Sequence, residues 1–327
     1  MKQWILGLKV LLVVCVTMLL VLSIAGIAAA EVKGADVSWL PQMEANGYKF
    51  YNASGVQKDC LDILKEYGIS AIRLRTWVNP SADKANGHCS ASETASMANR
   101  CRNKGFQIML DFHYSDSWAD PGKQYKPAAW ASLDFNGLMK KVYDYSKATQ
   151  QQVGSTTWTQ IGNETNNGML WETGKASVNP KNYAWLINCG YDGSKAGGAQ
   201  KCIVHVSNGY DNALFRWNFD IIKNNGGKWD MIGMSLYPST SDWSSKCDQM
   251  RNNISDMKSR YGKPVMIVEV GLDYTAATAT RDFIKKARTL GADGVFYWEP
   301  ECYNWAGYTK GAWGTNGRPT VAMDGFK

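Results

Sequence analysis

Two glutamates each stand at the end of a short apolar run: Glu164 just after Thr157 to Gly162, and Glu269 just after Val265 to Val268. A pair of carboxyls can cut the acetal link between sugars. At a separation of about 5–5.5 Å, one serves as acid and then base while the other attacks the sugar carbon, with retention of configuration. A lone glutamate at such a position more often caps a helix or joins a salt bridge. Two in matching settings favour catalysis. Their neighbours divide the work. Tyr237, by hydrogen bond, and Arg73, by charge, are placed to keep Glu269 ionised and its pKa low. Glu164 needs a raised pKa to act as an acid, and a drier, aromatic setting supplies one. Asn163 is placed to bond a sugar hydroxyl next to the reacting carbon. His113 suits the orienting of a sugar or a carboxylate, or a purely structural place. Trp77, Trp118 and Trp298 offer faces to sugar rings, with core packing as the competing use.

These residues need a scaffold that brings distant segments together. Amphipathic segments ending in Gly alternate with short runs rich in β-branched residues. Examples are Leu61–Tyr67, Gly68, then Ile69–Trp77; and Ser92–Lys104, Gly105, then Phe106–His113. Gly fits the left-handed C-cap of a helix, and the apolar runs fit strands buried on both faces. Counting Val32–Ser38, eight strands alternate with seven helical segments, which reads as an α/β fold, a closed (β/α)8 TIM barrel. A doubly wound open sheet is the alternative. Neither GxGxxG nor GxxxxGK[ST] occurs to support it. In such barrels the site lies at the carboxyl ends of the strands. There the sequence gathers Asp36; Arg73 and Arg75; Asp111, His113, Trp118 and Asp120; Asn163 and Glu164; His205; Ser235 and Tyr237; Glu269; and Trp298 with Glu299. A core strand has no structural need to run into polar groups at one consistent end.

Residues 1–30 read differently. Lys2 and Lys9 precede an apolar stretch, Val10 to Ala30, closing in Ala28-Ala29-Ala30. That order is a secretory signal peptide, cleaved after Ala30, and a membrane anchor is the alternative. The mature chain, 31–327, is then a single catalytic domain, secreted, monomeric and free of the membrane. The formal charge of +7 is spread along the chain, with no basic block of the kind that marks nucleic-acid binding. Seven cysteines follow residue 30, an odd number, so at least one thiol stays free. Export permits disulfides; proximity suggests Cys89–Cys101 and Cys189–Cys202. No CxxC or Cys/His cluster is present, so neither metal nor cofactor is expected. Of the glycosylation sequons, Asn163 would lie at the barrel mouth, out of reach, while Asn52 and Asn253 are better acceptors.

Several segments carry a resemblance: Gly34–Ser38 (GADVS), Ile72–Pro80 (IRLRTWVNP), Leu110–Pro121 (LDFHYSDSWADP), Ile161–Glu164 (IGNE) with Leu170-Trp171, and Phe296–Pro300 (FYWEP). Together they resemble glycoside hydrolase family 53, the endo-β-1,4-galactanases, over nearly all of the mature chain. The resemblance implies Glu164 as acid/base, Glu269 as nucleophile, and Arg73, His113, Asn163 and Tyr237 around them. It implies a polysaccharide substrate, the β-1,4-galactan of type I arabinogalactan. Mannan, xylan or β-glucan, or a non-catalytic carbohydrate-binding barrel, are the other readings. The chain departs from the family at Thr165-Asn166, where Ile-Arg is usual, and at Val270, where Thr is usual. Its segment after Glu269 is too short for the calcium-holding loop of some relatives.

Overall fold

The strands form where β-branched and large apolar residues run together. The computed structural model describes residues 31–81 and 88–327; the proposed signal peptide lies outside them. The strands are β1 (Val32–Asp36), β2 (Ala71–Thr76), β3 (Gln107–Phe112), β4 (Thr156–Ile161), β5 (Ala199–Val206), β6 (Met231–Leu236), β7 (Val265–Val270) and β8 (Gly294–Trp298). They are parallel and close in sequence order, β8 pairing with β1. The expected (β/α)8 barrel is therefore the fold, and the open sheet is excluded.

A short helix α1 (Leu40–Ala45) follows β1. The connecting helices are α2 (Cys60–Glu66), α3 (Ala91–Asn103), α4 (Phe135–Val153), α5 (Pro180–Gly197), α6 (Asn212–Asn224), α7 (Trp243–Tyr261) and α8 (Ala277–Ala287). Their ends carry ordinary signals. Ser90 and Glu93 make a reciprocal capping box on α3, and Gly262 closes α7 with a left-handed φ of 62°. After β8 the outer ring ends in a 3-10 turn, Val321–Phe326, tied to α8's end by Arg288 Nη1 donating to the Gly325 carbonyl at 2.8 Å.

Alternation along the strands sorts the core into two layers. Ala71, Met109, Trp158, Ile203, Met231, Met266, Val268 and Phe296 fill the barrel interior. Ile72, Leu110, Val204, Met234, Ile267 and Val295 face the helices. Gly34 is required at the seam: a Cβ there would lie 2.2 Å from the Phe296 ring. Strict alternation would turn Glu269 outward with Ile267. The pairing of β7 shifts register on both sides, between Met234 and Ser235 on β6 and between Ile267 and Val270 against β8. This irregularity lets Glu269 join Met266 and Val268 on the interior side, while Val270 packs in the outer layer.

Two expectations are corrected. None of the seven described cysteines is in a disulfide. Cys89 precedes α3 and Cys101 sits near its far end; ten helical residues span about 15 Å, too far for a disulfide. Cys189 lies on α5 and Cys202 on β5, separate elements despite their nearness in sequence. Asn253 is not an available sequon either: it is fully buried in α7, and its amide donates to the Gly209 carbonyl at 2.8 Å.

Candidate active site

At the carboxyl ends of the strands lies a cleft of about 490 Å3, and both glutamates line it. His113, Trp118, Asp120, Asn163, Tyr237 and Trp298, all read from sequence, line it too. The site is built from beneath by Arg73. Its Nη1 meets Asp36 Oδ2 at 2.7 Å; its Nη2 reaches Asp111 Oδ2 at 2.8 Å and Glu269 Oε1 at 2.7 Å. Gln160 and Asn163 accept from the same guanidinium at 3.1 and 3.0 Å. Burying this cation is offset by three carboxylates around it, and they hold the Arg73 pKa above its ordinary range against the opposing effect of burial.

Asp36 and Arg73 were expected to bind substrate. The structure corrects both: they are 0% and 1% exposed and lie under the cleft, not on it. They are inward residues one layer below the strand ends. Asp36 spends its other oxygen on the backbone N–H and hydroxyl of Ser38. His113 Nδ1 accepts the Ala119 N–H at 3.0 Å, so its ring proton sits on Nε2 and is donated to Asp111 at 3.0 Å. The imidazole thus holds the Asp111 carboxylate and shows only its rim to the cleft. Asn163 donates to the Ala119 carbonyl at 2.8 Å and accepts from Arg73 and Gln160, leaving one amide hydrogen uncommitted.

The two glutamates sit in unlike surroundings. Glu269 touches the guanidinium and accepts the Tyr237 hydroxyl hydrogen at 2.7 Å. Its pKa is nonetheless raised, because burial outweighs the pull of Arg73 and Tyr237. This corrects the expectation of a low value. Glu164 has no cation in contact among the described residues, only the Ser235 hydroxyl at 3.1 Å. Burial first, and the nearby Glu269 charge second, push its pKa up to about 8. Glu164 also adopts a left-handed φ of 47°, an uncommon conformation for a residue with a side chain. Its loop is clamped by Thr165 N–H to the His205 carbonyl at 2.8 Å and by Asn166 Nδ2 to Ser207 Oγ at 2.7 Å. The residues at the departure Thr165-Asn166 therefore fasten β4's loop to β5.

One wall is aromatic. Trp298 packs edge to face on Trp39 at 5.1 Å, Trp118 at 5.8 Å and Tyr308 at 4.9 Å. Behind it the Arg75 guanidinium lies 4.6 Å from the Trp118 ring and 5.0 Å from Trp39. Trp77 is fully buried against His113 and Trp118, so it is packing and not a sugar platform. The sequence reading missed Trp39, Lys123, Tyr308 and Lys310 on the cleft, and Gln160 beneath it. Trp39 follows β1 directly and was open to the strand-end argument. Tyr308 and Lys310 lie in an irregular segment with no period to read.

Among the described residues, Glu299, Glu301 and Cys302 have the spacing of metal ligands, within 4.8 Å. They suit the role poorly. Glu299 already meets Arg75 and the Trp39 N–H. Burial raises both carboxyls, Glu299 to about 7, which favours the protonated forms over ligating carboxylates.

Indoles packed edge to face beside two unlike carboxyls suit the cutting of sugar chains, and the class is that of the barrel glycoside hydrolases. Comparison with known proteins narrows it. Residues 32–289 match the Glycosyl hydrolase family 53 model, and the chain belongs to that family. An arabinogalactan endo-β-1,4-galactanase of Humicola insolens is 31% identical over 305 residues, covering 83% of this chain and 90% of that protein. A fungal β-1,4-galactanase structure superposes with a TM-score of 0.82 at 28% identity, over 90% of this chain and 98% of that one. The family 53 catalytic domain of Ignisphaera aggregans gives the same TM-score and identity, over 93% and 97%.

Proposed function

We propose that this glycoside hydrolase is a retaining endo-β-1,4-galactanase, with Glu164 as acid/base and Glu269 as nucleophile. The observation that carries the assignment is the contrast between the two carboxyls: Glu269 against Arg73 and Tyr237, Glu164 without a cation and raised to about 8. The galactan substrate rests on what the relatives' names say they cleave.

In the first step a carboxylate oxygen of Glu269 bonds to the sugar C1, the glycosidic C1–O bond breaks, and Glu164 gives its proton to the departing oxygen. Once Glu269 is an ester, its charge no longer raises the Glu164 pKa, and Glu164 becomes a base. Water then attacks C1, its proton passes to Glu164, and the ester bond breaks to return the Glu269 carboxylate. Asn163, with its free amide hydrogen, serves a hydroxyl beside C1. Trp118 and Trp298, joined by Trp39, hold sugar rings, while Asp120 and the rim of His113 bond hydroxyls. Secretion as a monomer, after cleavage at Ala30, belongs to the same proposal and is supported by the order of charge, apolar run and small residues in 1–30.

The test is incubation with β-1,4-galactan beside mannan, xylan and β-glucan. Galactan alone should yield reducing ends, and proton NMR of the first product should show the β-anomer. Preference for another glycan would shift the substrate and keep the mechanism; an α-anomer would overturn retention. Glu269→Ala should lose turnover yet still bind galactan, and full activity in that variant would sink the nucleophile.

A further inference from the structure

The cleft does not end at its lining. Lys123 lies on it, in the segment after β3. Past a turn at 121–122 that pairs Lys123 with Asp120, the stretch from Lys123 to Tyr125 is extended, with Tyr125 bridged to Trp171. Residues two apart in extended chain share a face, so Tyr125 continues the face that Lys123 presents to the cleft. The intervening Gln124 points the other way and is 2% exposed. Its amide donates to the Asn163 carbonyl at 2.8 Å and the Glu164 carbonyl at 3.2 Å, and its own carbonyl accepts the Trp171 N–H. The ledge is thus fastened to the backbone of Glu164 itself.

Tyr125 is 63% exposed, more than any other large apolar side chain among the described residues. It makes no ring contact or side-chain hydrogen bond among them. Nearby, Trp171 is fixed by Nε1 donating to the Asn167 carbonyl at 2.9 Å, with Lys175 Nζ 4.9 Å from its ring. A rigid backbone holding a bare aromatic ring in water has no packing purpose. An enzyme that cuts inside a long chain must let that chain leave the cleft at both ends, so a ring at an exit meets a sugar.

We infer that Tyr125, on the ledge shared with Trp171, is a distal stacking subsite for a sugar of the bound glycan on the Glu164 side of the cleft. This rests on the galactanase reading above. The ring gives its face to the sugar's C–H surface, and the hydroxyl stays in water. The subsite holds chains long enough to reach it and does nothing for shorter ones.

The test is kcat/KM on β-1,4-galacto-oligosaccharides of increasing length for wild type, Tyr125→Phe and Tyr125→Ala. For short chains the three should match. Beyond a threshold length, wild type and Tyr125→Phe should gain, while Tyr125→Ala falls behind by roughly three- to tenfold, mostly through KM. If Tyr125→Ala tracks wild type at every length, the subsite does not exist. If it loses equally at every length, Tyr125 acts through the Gln124 and Glu164 backbone, and the stacking assignment is overturned. A wild type that cuts none of the series defeats the galactanase reading, and the subsite with it.

Discussion

Glu164 and Glu269 titrate as a pair, so their protons come off in steps that belong to the site. Turnover needs Glu269 ionised and Glu164 protonated. Activity should therefore fall as pH drops through the raised Glu269 value, and fall again as pH rises past about 8, where Glu164 loses its proton. A pH profile of kcat/KM should be a bell with its acid limb above the ordinary glutamate range. A profile still rising at pH 9 would contradict the Glu164 assignment. The same group bears on stability. Its folded pKa of about 8 exceeds the reference 4.5. Between those values the folded protein keeps a proton that the unfolded chain has lost, so stability declines as pH rises through the window. Glu164→Gln removes this penalty. Its Tm should exceed that of wild type at pH 8 and converge with it near pH 4, as read by calorimetry at both pH values.

At the scale of elements, the irregular pairing of β7 aims the nucleophile. Its strand departs from simple alternation one residue before its end. The seam between β1 and β8 carries the opposite demand, strict closeness. Gly34 pairs with Phe296 there, and an added methyl would meet the ring at 2.2 Å. Gly34→Ala should destabilise the barrel by about 1–3 kcal/mol through overpacking. Urea denaturation should show this as a lower midpoint with an unchanged slope. An unshifted midpoint would mean that the ring simply rotates away. The β4 loop shows a third device: hydrogen bonds from Thr165 and Asn166 to β5 hold the strained Glu164 in place.

The whole molecule is held by its two apolar layers, without covalent staples among the described residues. Six of the seven described cysteines are buried, and Cys189 is partly exposed with its thiol pushed up to about 11 by burial. A disulfide reagent should label Cys189 at most, slowly, in the native protein, and all seven after denaturation. Reducing agent should leave Tm unchanged; a lowered Tm would reveal a bridge.

How much of this was legible beforehand follows from which interactions are local. Strand and helix periodicity, glycine caps and polar strand ends depend on neighbours in sequence, and they suffice for the barrel, for Glu164 and Glu269, and for most of the cleft. Cysteine pairing is not local: α3 carries Cys89 and Cys101 apart, which proximity in sequence hides. Nor is depth along a strand. One layer separates Asp36 and Arg73, which build the site from below, from Asn163 and Tyr237, which face the cleft. The inward turn of Glu269 needs the register of three strands at once. The balance of its pKa needs the burial that only the closed barrel creates. The sequence by itself determined which residues meet at the barrel mouth. Tertiary structure decided which of them touch the cleft and in what state of charge, because depth, register and desolvation arise only when all eight strands have closed.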